Sequence, residues 1–290
     1  MYFTQSIDAV RKTFQIFLHD RRFLYLSIFL ALFGSTFQGY EFFRLRSLSI
    51  VLTLSASYKL AYLLWQLLSW IVSLLLGSIL LPAFILMVRD HEQGKIVPLK
   101  EVFGQSKEIV YRFIVLLFTY YNLLFIVAGG GLLVVVVGLA SNIFYNLQIT
   151  TIYNLTNNAP LVGTFLTIAV IASALISLLY VITSQILVLE GRHVIDSIIE
   201  GMRLVHTQFP VILTSWVVVN IITLIPLIVL SLFLRIIEVI DMPSASMSFW
   251  GFVLGIVLFL LVYTPVIAFS NIFWTEVYLK ITPGAGMARD

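Results

Sequence analysis

The sequence predicts an all-α polytopic membrane protein with six transmembrane helices as three hairpins, each preceded by an amphipathic helix. Three observations predict it. Of 290 residues, 60% are hydrophobic and 11% are charged, whereas a water-soluble domain carries roughly 25% charged residues. Six apolar runs each reach the ~20 residues with which a helix crosses a ~30 Å hydrocarbon core. An amphipathic segment precedes each pair of runs, so the plan is used three times.

In chain order, Ile7, Val10, Phe14 and Phe17 step by three and four, which places them on one helical face. Arg11, Lys12, Arg21 and Arg22 accompany this segment, and no small-residue cleavage site follows, so it reads as retained rather than as a signal peptide. The apolar runs 23–43 and 60–88 come next. The second amphipathic copy carries Leu99, Val102, Ile109 and Phe113, with Ser106 interrupting the stripe, and leads into 113–140 and 161–189. The third copy carries Ile195, Ile198, Met202, Val205 and Phe209, with Asp196, Glu200 and Arg203 off the stripe, and leads into 210–234 and 249–274.

The whole chain, 1–290, reads as a single membrane domain with pseudo-repeats at about 1–88, 97–189 and 190–278 and a flexible tail at 281–290. No hydrophilic stretch approaches the roughly 50 residues of a separate soluble domain. Segments 1–22, 89–112, 190–209 and 275–290 hold 13 of the 17 Lys plus Arg. Basic residues concentrate on the cytoplasmic side of a membrane. Both termini and all three amphipathic helices are therefore expected to be cytoplasmic, in a bacterial-type cytoplasmic (inner) membrane.

Few residues suggest chemistry. Ser184-Gln185 followed by Glu190 is matched at a constant offset by Ser270-Asn271 followed by Glu276, at the ends of the fourth and sixth runs. In the first hairpin Pro82-Ala83 and Val88 fill the equivalent places, with Arg89 and Asp90 just after. The six matched residues are the candidate cytoplasmic-side polar pocket, for a lipid head group or a partner's basic residue. Carboxylates in lipid usually face protein or water. The same residues also suit helix ends that bond between spans.

Gly129, Gly130 and Gly131 in the third run, with Pro226 and Pro265 in the fifth and sixth, are candidate helix breaks of the kind transporters place at substrate sites. They suit close helix–helix approach equally well. The four histidines lack the paired spacing of a metal site, and there is no cysteine. No catalytic residue, metal site or cofactor is expected. Basic residues alternate with acids, which argues against nucleic acid as a partner. Three hairpins around a pseudo-threefold axis and plain sequential packing both fit the repeat spacing.

Leu187-Val188-Leu189-Glu190-Gly191 leads into Ile195-Asp196-Ser197-Ile198-Ile199-Glu200-Gly201 and then a new span, with a looser echo in Met87-Val88-Arg89-Asp90 and Gly94-Lys95. This pattern resembles a broad group of uncharacterised six-pass bacterial membrane proteins. The group includes the membrane domain of glycerophosphoryl diester phosphodiesterases. Those enzymes keep catalysis in a separate soluble domain, so the resemblance implies an architecture and no activity.

The expected role is a non-enzymatic accessory or scaffold subunit, or a lipid-associated membrane protein. Its expected partners are membrane lipids, or another membrane or cytoplasmic protein docking on the amphipathic helices. The alternatives are a small transporter or permease component using the interrupted spans, and a lipid-modifying membrane enzyme with Glu190 and Glu276 as its acids.

Overall fold

The computed structural model describes residues 2–32, 56–145, 151–240 and 249–283. Those residues form eight helices: α1 (Tyr2–His19), α2 (Arg22–Leu30), α3 (Ala56–Glu92), α4 (Leu99–Tyr145), α5 (Thr151–Leu189), α6 (Val194–Thr207), α7 (Phe209–Ile240) and α8 (Phe249–Ile281). Five of them contain stretches long and apolar enough to cross a membrane: Leu74–Glu92, Leu99–Val127, Thr167–Leu189, Phe209–Phe233 and Val257–Ile281. The described residues are all-helical, and the chain is a multi-pass membrane protein. Most of the first apolar run, 23–43, lies outside the described residues, as does most of the tail at 281–290.

Breaks between a short helix and the helix after it follow local chemistry. At the α1–α2 corner the Asp20 carboxylate accepts the Arg22 backbone N–H at 3.0 Å, an Asx-type turn that redirects the chain just before α2 begins. At the α6–α7 corner Pro210 falls in the first turn of α7, where its missing N–H costs nothing. The stretch around 99–113 departs from the expected break. Leu99–Tyr145 is one helix of 47 residues, because Tyr111-Arg112-Phe113-Ile114 contains neither a breaker nor a capping residue.

Helices α3, α5 and α8 contact one another pairwise and form the centre. Around them, α2 packs on α3 and α8, α4 on α3 and α5, and α7 on α8. Residues 82–88, 182–189 and 272–278 are buried at every position, which requires neighbours on all sides of each helix. All three runs lie near helix C-termini, so the tightest packing sits at one end of the bundle, beside the amphipathic helices. Phe23 of α2 meets Phe84 of α3 there, with ring centroids 5.2 Å apart. Tyr120 of α4 hydrogen-bonds Thr183 of α5 at 2.9 Å.

Helices α1 and α6 and the first turns of α4 share one docking pattern. Ala9, Thr13 and Ile16 are buried in α1, and Val102, Ser106 and Ile109 at the same spacing in α4. Ser197 and Gly201 are buried in α6, with Leu204 half-buried. The faces that dock are therefore lined mainly by small or hydroxylated residues, which let helices approach closely. Ser6 bonds Ser215 of α7 at 3.0 Å, and Ser106 donates to the Ile79 carbonyl of α3 at 2.7 Å. The large apolar residues sit elsewhere on the same helices. Ile7 and Leu18 point outward from α1, with Leu18 73% exposed, while Phe14 leaves one side exposed and rests its ring on Phe269 of α8, centroids 5.0 Å apart. Ile195, Ile199 and Met202 point outward from α6, with Ile195 72% exposed. Val10, Phe17, Ile198 and Val205, from the same predicted stripes, pack against the core.

Candidate functional site

Each central helix has acidic residues at its C-terminal end: Asp90 and Glu92 on α3, Glu190 just past the end of α5, and Glu276 on α8. A helix C-terminus carries partial negative charge, so a carboxylate there needs a cation. Each has one, supplied differently. Arg89 grips Asp90 through Nε at 2.9 Å and through its terminal nitrogen at 2.7 Å. Arg192 Nε pairs with Glu190 at 2.6 Å. Lys12 of α1 lies 3.4 Å from Glu276 and pairs closely with Glu92, the last residue of α3.

Helices α1, α4 and α6 each bring one polar side chain to this layer. Lys12, Gln105 and Glu200 each immediately precede the buried small residue of their segment, Thr13, Ser106 or Gly201. Lys12 meets Glu276, Gln105 accepts from Arg89 at 3.4 Å, and Glu200 lies 3.5 Å from Arg192. Burial pulls the Lys12 ammonium down, but bonding and attraction to Glu92 and Glu276 outweigh it and hold the group above its ordinary value. Tyr278 of α8 donates to Glu190 Oε1 at 2.5 Å, joining the ends of α5 and α8. Arg112 of α4 donates to the Gly191 carbonyl at 2.8 Å. Gly94 and Gly191 have φ of 70° and 65°, the left-handed conformation that ends a helix most cheaply when the residue is glycine.

The six residues of the predicted polar pocket do not all converge. Glu190 and Glu276 both join the carboxylate layer. Ser184 donates to the Val181 carbonyl and Asn271 to the Ile267 carbonyl, each within its own helix. Ser270 is half-buried. Gln185 is 3% exposed and its Oε1 has no donor. Sequence reasoning passed over Lys12, Glu92, Tyr278 and Arg192. It also left Asp90 outside the constant offset, whereas the structure puts Asp90 near the end of α3 as Glu190 is near the end of α5. The Met87–Asp90 echo of Leu187–Glu190 was the available signal.

The candidate helix breaks do not break helices. Helix α4 runs without interruption through Gly129, Gly130 and Gly131, and α7 and α8 continue through Pro226 and Pro265. A missing proline N–H removes one bond, and packing with neighbouring helices tolerates the loss. Among the described residues no group of three or more His, Cys, Asp or Glu is placed to hold a metal ion. Comparison with family models, with curated proteins and with solved structures found no match.

Proposed function

We propose that this chain is a non-enzymatic, lipid-associated protein of a bacterial-type cytoplasmic membrane. In this reading six spans form three hairpins around a pseudo-threefold axis, with α3, α5 and α8 inside. Helices α1 and α6 lie in the cytoplasmic headgroup region, and both termini are cytoplasmic. The resemblance to the six-pass bacterial group supports the span number. The basic residues of the connections support the orientation.

The observation that carries the reading is the outward turn of Ile7 and Leu18 on α1 and of Ile195, Ile199 and Met202 on α6, with Phe14 half-open beside them. Helices that dock by small residues and expose large apolar ones have their second apolar partner outside the described residues. The α6 stripe runs on into exposed Phe209, Leu213 and Val217 of α7, a span whose outer side meets acyl chains. A lipid surface is continuous with that face, and Arg11 and Arg203 beside the stripes suit anionic headgroups.

Depth-dependent fluorescence quenching tests this. The chain has no cysteine, so single cysteines at Phe14, Ile199 and Gly104 can each be labelled in vesicles containing spin-labelled lipids. Positions 14 and 199 are expected to quench from shallow lipid depth and position 104 from the aqueous phase. Labels at 14 and 199 that quench with neither lipid nor water, because a copurified protein covers them, would overturn the lipid reading in favour of an accessory subunit.

A further inference from the structure

Two carboxylates share one ammonium where α1 meets the central helices. Lys12 pairs closely with Glu92 at the end of α3 and lies 3.4 Å from Glu276 of α8. The Glu276 side chain is 1% exposed, and its Oε1 has no donor. The two carboxyls are also close enough to hydrogen-bond each other. Ionised carboxylates only accept, so they can share this place in two ways. Either a cation stands against both, or one carboxyl holds a proton and donates it to the other. Carboxylates placed this way take up protons as a pair.

Other charges at this end are engaged elsewhere. Among the described residues, the charged groups acting on Glu276 are Lys12 from α1 and Glu92 from α3. Asp90 of α3 is held by Arg89, Arg22 of α2 by Asp20, and Glu190 beyond α5 by Arg192 and Tyr278. His91 of α3 sets its ring against Phe23 of α2, centroids 6.5 Å apart. Arg112 of α4 donates to the Gly191 carbonyl. Asp8 and Arg11 of α1 and Lys280 of α8 are exposed, and residues 209–233 of α7 include no titratable side chain.

The hold on Lys12 depends on both acids. Burial draws its ammonium down, and Glu92 and Glu276 together more than offset that. A proton on either acid removes part of the attraction. Helix α1 joins α2 through the short corner at Asp20 and Arg21, which gives it a pivot.

We propose that Lys12, Glu92 and Glu276 form a proton-operated latch on α1. The ionised pair grips Lys12 and keeps α1 docked. A proton shared between Glu92 and Glu276 takes the place of the ammonium, and α1 swings out about the corner. Release takes up a proton, so docking is firm at neutral and alkaline pH and weakens as pH falls. The latch concerns the inner side of α1 and holds whatever covers the outer side.

The test is a spin-label distance measurement on the full chain in lipid nanodiscs. The chain has no cysteine, so nitroxides can be placed at two introduced ones. Phe3 is exposed at the end of α1 far from the corner, and a side chain added at Gly104 of α4 meets open space. One distance is expected at about pH 8. A second, broader one should grow towards about pH 5, where an isolated glutamate is still mostly ionised. The docked-to-released ratio should change by about tenfold or more.

Glu276→Gln should make the distribution independent of pH. Glu92→Gln, at the partly exposed helix end, should do the same and serves if Glu276→Gln does not fold. Lys12→Met should populate the released distance at every pH. Asp20→Asn should keep the transition, which separates the latch from the corner. A single unchanged distance in the wild type overturns the latch, as does a transition that survives both glutamine variants. Tighter docking in acid also overturns it.

Discussion

Gly201 of α6 lies so close to Thr183 of α5 that a Cβ at residue 201 would stand 2.5 Å from Thr183 Oγ1. The hydroxyl cannot swing away freely, because Tyr120 bonds it at 2.9 Å. Gly201→Ala is therefore expected to destabilise the protein by about 1–2 kcal/mol, with overpacking outweighing the roughly 1 kcal/mol gained in helix propensity. Thr183→Ala in the same chain should recover part of the loss. Thermal unfolding in detergent for the two single variants and the double variant checks this. Equal stability of Gly201→Ala and wild type would show that α6 shifts at no cost.

Tyr278→Phe removes the donor that α8 gives to Glu190 Oε1. Glu190 keeps Arg192 but loses a hydrogen bond to a charged group, at a cost of about 1–3 kcal/mol. The same substitution made in a Glu190→Gln background should cost less. A double-mutant cycle on unfolding midpoints reads the difference.

Lys12→Met leaves Glu92 and Glu276 facing each other without their shared ammonium. Lys12 is partly exposed, so the expected loss is about 1–2 kcal/mol, below the 3–5 kcal/mol of a fully buried broken pair. Lys12→Met with Glu276→Gln should be more stable than Lys12→Met alone. Limited proteolysis of α1, which reports its undocking, should rank the variants in the same order.

The α1–α2 corner gives a pH prediction. Burial pushes the Asp20 carboxyl up, but hydrogen bonds from Arg22 outweigh it and hold the group below its ordinary value. A depressed carboxylate contributes stability above its unfolded pKa and loses it as pH falls through the folded value. The corner should therefore be unaffected from neutral pH down to about 4 and loosen below that. Asp20→Asn should cost about 1 kcal/mol at pH 7 and flatten the acid limb of a stability–pH curve. An unchanged acid limb would remove Asp20 from the account.

How much of this was legible in the chain depended on the range of each interaction. Hydropathy is local, so the apolar runs after the first are recovered as long helices. The Ile7–Phe17 and Ile195–Phe209 spacings are local too, and both segments form separate helices. Their apolar stripes gave no hint of direction, because docking is set by small residues such as Ser197 and Gly201, which hydropathy scores as indifferent. Ser106 looked like a flaw in a stripe, yet its hydroxyl anchors α4 to the Ile79 carbonyl of α3.

Pairings across the chain were not legible. Lys12 and Glu276 meet only because α1 packs on α8, and nothing in the spacing of either residue announces the other. The glycine and proline positions misled for a physical reason. Their cost in an isolated helix is real, but in a bundle neighbouring helices hold the backbone, and α4, α7 and α8 continue through them.

The docking of α1 on α7 and α8 also bears on biosynthesis. Chains emerge from the ribosome N-terminus first, and earlier elements generally settle before later ones. Helix α1 is made before α7 and α8, yet Ser215 and Glu276, which receive Ser6 and Lys12, lie on those two later helices. The earlier helix therefore waits, basic and uncovered, until α7 and α8 have been made. Its docking follows theirs, and a chain stalled before α8 would still display α1 to proteases.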